Sequence, residues 1–170
     1  HYVKGDLDSA KIYSNRAFDI VQERGFNRQI IANMNQLSQI NLHAGENNIA
    51  IGIANKALLL AKGKDMKVQI HKTKFLIGMC HYANGDYEIA MNEFFEESYN
   101  WLEKNSKDDG LYDMVVYYTC LKKLNREYDA SNLVSLIEDT PKDKISFETN
   151  FRLYQIFDDS EYLKSAYDQI

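Results

Sequence analysis

The stretch GDYEIAMNEFF, residues 85–95, opens with a pattern that returns at a fixed interval on both sides of it. Gly5 to Ala10 is GDLDSA, Gly45 to Ala50 is GENNIA, Gly85 to Ala90 is GDYEIA and Asn125 to Ala130 is NREYDA, forty residues apart each time. Self-similarity at a period of this size marks an architecture in which one supersecondary unit stacks on copies of itself. The grammar of each copy has a physical cause. A helical pattern runs up to a Gly or Asn, the residues most at ease in the left-handed conformation that closes a helix, and a second helical pattern follows at once. In two copies the next residue, Asp6 or Asp86, is suited to accept from the free N–H groups of the new helix. The unit is then a helical hairpin with a very short turn. Five residues beyond the Gly or Asn stands Ala10, Ala50, Ala90 or Ala130, small enough to let two antiparallel helices approach. Gly78, on the facing helix of the third copy, supplies the other half of such a contact.

These residues resemble the tetratricopeptide repeat family, whose copies carry a Gly, a Gly-x-Tyr turn, an Ala and an aromatic four residues later. The third copy matches throughout, with Gly78, Gly85, Tyr87, Ala90 and Phe94. The other copies match in part: Ser38 and Tyr118 stand in the place of Gly78, and Ser14, Ala54 or Val134 in that of Phe94. The family's common period is about 34 residues, so a spacing of forty implies longer helices, as in the long-repeat subgroup of bacterial signalling proteins and peptide-sensing regulators. The resemblance implies an all-α fold, a right-handed superhelical solenoid of antiparallel helical hairpins. It covers residues 1–170 as one repeat domain, with copies at about 1–25, 26–64, 65–107, 108–141 and 142–170.

Composition agrees with that expectation. A chain of 170 residues, 45% hydrophobic and 26% charged, can bury a core of its own. A net charge of −5 argues against a general nucleic-acid surface, which needs a basic excess. No apolar run is long enough for a membrane span, and the first residues lack signal-peptide form, so a cytoplasmic setting is expected.

In chain order, helical periodicity predicts a helix over Asp6 to Arg24 closed by Gly25, then Asn27 to His43, then a helix carrying Ile49, Ala50, Ile53, Ala57, Leu58 and Ala61. A turn at Lys62 to Asp65 leads to helices over Met66 to Ala83 and Tyr87 to Lys104. After a polar loop at Asn105 to Gly110, a fourth hairpin occupies Leu111 to Glu138. Asp139, Thr140 and Pro141 break it. A final pair covers Lys144 to Phe157 and a helix with Tyr162, Leu163, Ala166 and Tyr167. A solenoid needs polar capping units, so two abrupt ends read as those of a piece of a longer protein.

The sequence offers little catalytic chemistry. There is no Gly-rich phosphate loop after a strand, and His43, His71 and His81 form no pair with metal-ligand spacing. Their positions suggest partly buried or groove-lining imidazoles pointing in different directions. Cys80 and Cys120 fall at equivalent points of neighbouring copies. Equivalent points on packed helices lie about 8–10 Å apart, too far for a disulfide, so both read as core thiols. No enzyme activity, cofactor or metal is expected.

Function is therefore expected on the surface that stacking creates. In the family resembled, the first helix of each hairpin lines a concave groove and the second faces the convex side. That implies a groove of Asn35, Gln39, Leu42 and His43 from the second copy and Lys72, Phe75, Met79 and Tyr82 from the third. Val115, Thr119 and Lys122 would add to it from the fourth, and Glu148 and Arg152 from the fifth. Amides can pair with a peptide backbone, and Phe75, Met79 and Tyr82 would form an apolar anchor. The alternative is that some of these side chains pack between repeats. The chaperone-binding members clamp a C-terminal carboxylate with Lys and Asn; here Asn35 stands where the leading Lys belongs and only Lys72 fits, against a chaperone role. Charge is segregated, with six Lys against one Asp over residues 56–74 and nine acidic residues against two Lys over residues 86–113. The expected partner is a protein or extended peptide, with homodimer formation left open and no nucleic acid or membrane. The whole reads as a binding module of a larger signalling or regulatory protein, or alternatively as a peptide-gated regulator whose solenoid switches an attached DNA-binding or enzymatic domain.

Overall fold

The computed structural model divides the chain into two compact units, His1–Asn105 and Ser106–Ile170, and describes residues 4–23, 26–105 and 110–170. Among the described residues the fold is all-helical, with no strand. The first unit contains α1 (Lys4–Glu23), α2 (Asn27–His43), α3 (Asn47–Gly63), α4 (Lys67–Asn84), α5 (Tyr87–Ile89), a π-helical turn (Ala90–Phe95) and α6 (Glu96–Asn105). The second contains α7 (Gly110–Lys123), α8 (Ser131–Asp139), a 3₁₀ turn (Lys142–Lys144), α9 (Phe147–Phe157) and α10 (Ser160–Tyr167).

The helix ends follow from left-handed residues, as the sequence suggests. Gly45 and Gly85 have φ of 76° and 84°, and Asn125 has φ of 51°. Each closes its helix with the same pair of hydrogen bonds. At Gly45 the N–H donates to Leu42 O at 3.0 Å and the next N–H, of Glu46, to Asn41 O at 2.8 Å; at Gly85 the bonds are to Tyr82 O at 3.0 Å and from Asp86 to His81 O at 2.9 Å. Asp65, with φ of 49°, makes the same closure midway between them, its neighbour Met66 donating to Ala61 O at 3.0 Å. The closures thus recur at multiples of twenty residues, half the repeat.

Packing in the first unit rests on an alanine seam. Ala50, Ala54, Ala57 and Ala61 recur along one face of α3 and are completely buried. With no side chain beyond Cβ, they let both α2 and α4 lie close to α3, and α4 packs on α2 and α3 together. Leu58, Leu76, Ile77 and Cys80 pack with Ala50 and Ala54, and Ile31 packs with Ala57 and Ala61. At the position shared by Ser38 and Gly78, the Ser38 hydroxyl donates to Ala50 O at 2.8 Å. Gly78 instead faces the π-helical turn: a Cβ there would lie 2.6 and 2.7 Å from the Phe95 ring and 3.0 Å from Phe94 Cβ. The wider turn, in which Glu96 N–H reaches back to Met91 O, brings Phe94 and Phe95 onto α4 together.

Four expectations need correction. The turn at Gly5 and Asp6 is absent, because α1 runs through both residues; a glycine lowers helix propensity but ends a helix only where it turns left-handed. Asp86 does not cap α5 with its side chain, and its carboxylate lies instead 3.4 Å from His81 Nδ1. The third copy's second helix is interrupted by the π-helical turn. In the fourth copy residues 126–130 are not helical and α8 starts only at Ser131, leaving Ala130 at the N-cap position. There Asp129 Oδ1 accepts from Ser131 N–H at 2.9 Å and Asp129 O from the Tyr118 hydroxyl at 2.8 Å, bonds that hold the segment out of the helix. Gly25 and residues 106–109 of the expected loop lie outside the described residues.

In the second unit α7 packs on both α8 and α9, and α9 on α10. Side-chain caps appear here: Ser146 accepts from Thr149 N–H and Asp159 from Glu161 N–H. Cys80 and Cys120 are both completely buried. Burial pushes the Cys80 thiol up to about 11, the Ser38 hydrogen bond acting weakly the other way. Both thiols should therefore react with an aromatic disulfide reagent near neutral pH only on global opening of the fold, and at once in denaturant. Immediate labelling of the native protein would contradict this.

Candidate functional site

The surface expected as a groove is resolved on α2 and α4 in the first unit and on α7 and α9 in the second. On α2, Gln39 and His43 are exposed, whereas Leu42 is half-buried against the α3–α4 core. Asn35 is half-buried, and its amide is used within the fold: Nδ2 donates to Thr73 Oγ1 at 2.9 Å, and that hydroxyl approaches Asn35 Oδ1 at 3.1 Å. On α4, Lys72 is exposed and Met79 and Tyr82 are half-buried, with the Tyr82 ring 5.1 Å from that of Tyr87. Phe75 is not on the surface. It is only 5% exposed, with its ring 4.9 Å from Phe95. The expected apolar anchor is therefore reduced to Met79 and Tyr82, because α4 turns Phe75 toward the π-helical turn, where the missing side chain of Gly78 leaves room for the aromatic pair.

The second unit corrects more of the expectation. Val115 is completely buried and Thr119 nearly so, its hydroxyl donating to Val115 O one turn back at 2.6 Å. Lys122 donates through Nζ to Ile156 O at 2.9 Å, satisfying a carbonyl in the last turn of α9. Glu148 Oε1 accepts from the Tyr112 hydroxyl at 3.1 Å and from Arg152 at 3.2 Å. Burial first, and then the Glu148 carboxylate, raises the Tyr112 pKa, so the phenol stays protonated as a donor. These side chains join α7 to α9. Their types suited a polar groove, but their hydrogen-bond partners lie inside the unit.

Of the residues expected in the groove, Gln39 and His43 on α2 and Lys72 on α4 are exposed in the first unit, with Met79 and Tyr82 on α4 half-buried. Together they offer amide donors and acceptors, one ammonium and a short apolar strip.

A second, polar cluster on α4 has no counterpart among the expected site residues. His71 and His81 each stack on a different aromatic ring of the 87–105 segment. His71 lies parallel to Trp101, centroids 4.4 Å apart and planes at 10°, and His81 lies on Phe94 at 5.5 Å and 10°. His71 is 8% exposed and its Nδ1 is buried with no hydrogen-bond partner in the protein. Beside it Lys74 forms an ion pair with Glu97. Burial holds the His71 pKa below the usual imidazole value, against the opposing pull of Glu97, while the Lys74 hydrogen bond holds the Glu97 carboxyl down.

Among the described residues no three His, Cys, Asp or Glu side chains converge as metal ligands, and no helix is long and apolar enough to cross a membrane. No family model matches the chain, and no curated protein or solved structure matches it.

Proposed function

We propose that this chain is a non-catalytic protein- or peptide-binding repeat module of a larger signalling or regulatory protein, a right-handed superhelical solenoid of hairpins of the tetratricopeptide type. One observation carries the reading: the helix closures recur at Gly45, Asp65, Gly85 and Asn125, and within the first unit α4 packs on both α2 and α3. A translated hairpin brings successive first helices side by side, and their shared outer stripe becomes an extended surface suited to an extended ligand. The ligand lies across Gln39, His43, Lys72, Met79 and Tyr82. Amides pair with its backbone, Met79 and Tyr82 receive an apolar side chain, and Lys72 favours an acidic residue or a terminal carboxylate. A cytoplasmic setting belongs to the same reading, with Cys80 a buried thiol.

The test is isothermal titration against a library of extended peptides. Lys72→Glu combined with Gln39→Ala is expected to weaken the best binder at least tenfold, as the loss of a central hot spot does at about 2 kcal/mol or more. Both side chains are exposed, so thermal melts should stay unchanged. Glu96→Ala, on α6 and equally exposed, should leave affinity as it is. Loss of binding in Glu96→Ala with retention in the α2–α4 pair would move the site to the acidic helix.

A further inference from the structure

The forty-residue register exposes an exchange between the second and third hairpins. In the second, Ile31, Ala57 and Ala61 form a buried apolar cluster with Met34 packed against it. Advancing each residue by forty in sequence gives His71 for Ile31, Lys74 for Met34, Glu97 for Ala57 and Trp101 for Ala61, although beyond the π-helical turn the fully buried place passes to Ser98 and Glu97 lies at the surface. Apolar residues of the second hairpin thus align in sequence with an imidazole, an ammonium, a carboxylate and an indole. The exchange is concerted in space, since His71 stacks on Trp101 and Lys74 pairs with Glu97. The third hairpin thus holds this end of α6 with a quartet of which three members, His71, Lys74 and Glu97, are titratable, where its neighbour uses dispersion and burial alone.

We propose that this quartet is an acid-sensitive latch, in which neutral His71 holds the Trp101-bearing α6 against α4 and its protonation releases that helix. A neutral imidazole lying flat on an indole packs as an apolar ring would. A proton added to it places a charge on a ring that is only 8% exposed, with Nδ1 facing no acceptor. Two attractions oppose release: the indole face can hold a cation, and Glu97 is near. Glu97, however, already has Lys74, whose ammonium repels an imidazolium as the carboxylate attracts it. Among the described residues Glu97 on α6 and Lys74 on α4 are the charged groups acting on His71, and Lys62 on α3 acts in turn on Glu97. Burial outweighs these attractions, so the folded state favours the neutral ring.

The sign follows from linkage. The folded His71 pKa lies below the unfolded one, so the latch is fully closed above the ordinary imidazole value. It weakens as pH falls from there through the depressed folded value. Glu97, held low by Lys74, stays ionised over that window, so His71 acts first.

Trp101 is the chain's single tryptophan, which makes its emission a local reporter. Hydrogen exchange on the whole chain, corrected for intrinsic rate, should show protection over residues 96–105 falling at least fivefold relative to α3 between about pH 7.5 and 5.5. Trp101 emission should shift to the red over the same range. His71→Ile, the residue of the preceding hairpin, should abolish both changes. Should that variant not fold, the native His71 ring resonance still decides: it should titrate below free imidazole and in step with the Trp101 shift. A constant protection ratio, an unchanged transition in His71→Ile, or a His71 resonance titrating at or above free imidazole would each overturn the proposal.

Discussion

Replacing Phe95 with Ala is expected to destabilise the first unit by about 3–5 kcal/mol, the range for truncating a fully buried aromatic. Phe95 has no exposed surface and is the largest fully buried side chain among the described residues. Its ring meets Phe75 at 4.9 Å and fills the space left by Gly78. The cavity cannot close by a small shift, because Ala90 and Met91 at the head of the same π-helical turn are themselves buried. Chemical denaturation should show a lower midpoint at an unchanged slope. Phe75→Ala should follow the same pattern less steeply, since its ring keeps a little exposure. If Phe95→Ala cost under about 1 kcal/mol, well below the buried-aromatic range, the packing of the π-helical turn on α4 would be wrong.

Gly78→Ala is expected to destabilise by about 1–3 kcal/mol, the range for overpacking a core, although a helix interior ordinarily gains up to about 1 kcal/mol from this change. The new methyl would stand 2.6 Å from a ring atom of Phe95, and that ring is completely buried. Gly52 in α3 supplies the contrast. An added Cβ there meets nothing within 4 Å, so Gly52→Ala should stabilise by roughly 0.5–1 kcal/mol. One substitution type thus takes opposite signs at two helical positions. Combining Gly78→Ala with Phe95→Leu should cost less than the sum of the two, because the smaller side chain relieves the collision. Strict additivity would mean that the contact does not set the sign.

The opposite placement of the candidate residues has a common origin. A forty-residue period assigns each side chain an angle on its helix, and this placed Gln39, His43 and Lys72 on an outer stripe where they are in fact exposed. An angle does not give depth. Phe75, Val115 and Thr119 share that angular register and are buried, because depth depends on how closely the neighbouring helix approaches. Asn35 and Arg152 have the polarity of groove residues, but polarity does not say which partner is nearest. For Asn35 the partner is Thr73, 38 residues away in sequence, and for Arg152 it is Glu148, one turn back.

The sequence by itself determined the all-helical class and most of the helix boundaries. Both rest on local physics: the span of α2 at Asn27–His43, the left-handed closures at Gly45, Gly85 and Asn125 and the buried Ala50 and Ala90 follow from propensity, φ and side-chain size over a few residues. Only the tertiary structure decided the rest. The π-helical turn answers to Gly78 on another helix, the late start of α8 to a Tyr118 hydroxyl eleven residues earlier, and the stacking of His71 on Trp101 to an approach across thirty residues. Each depends on a contact made across a turn or with a neighbouring helix, and the propensity of the residues on one element does not specify the partner on the other.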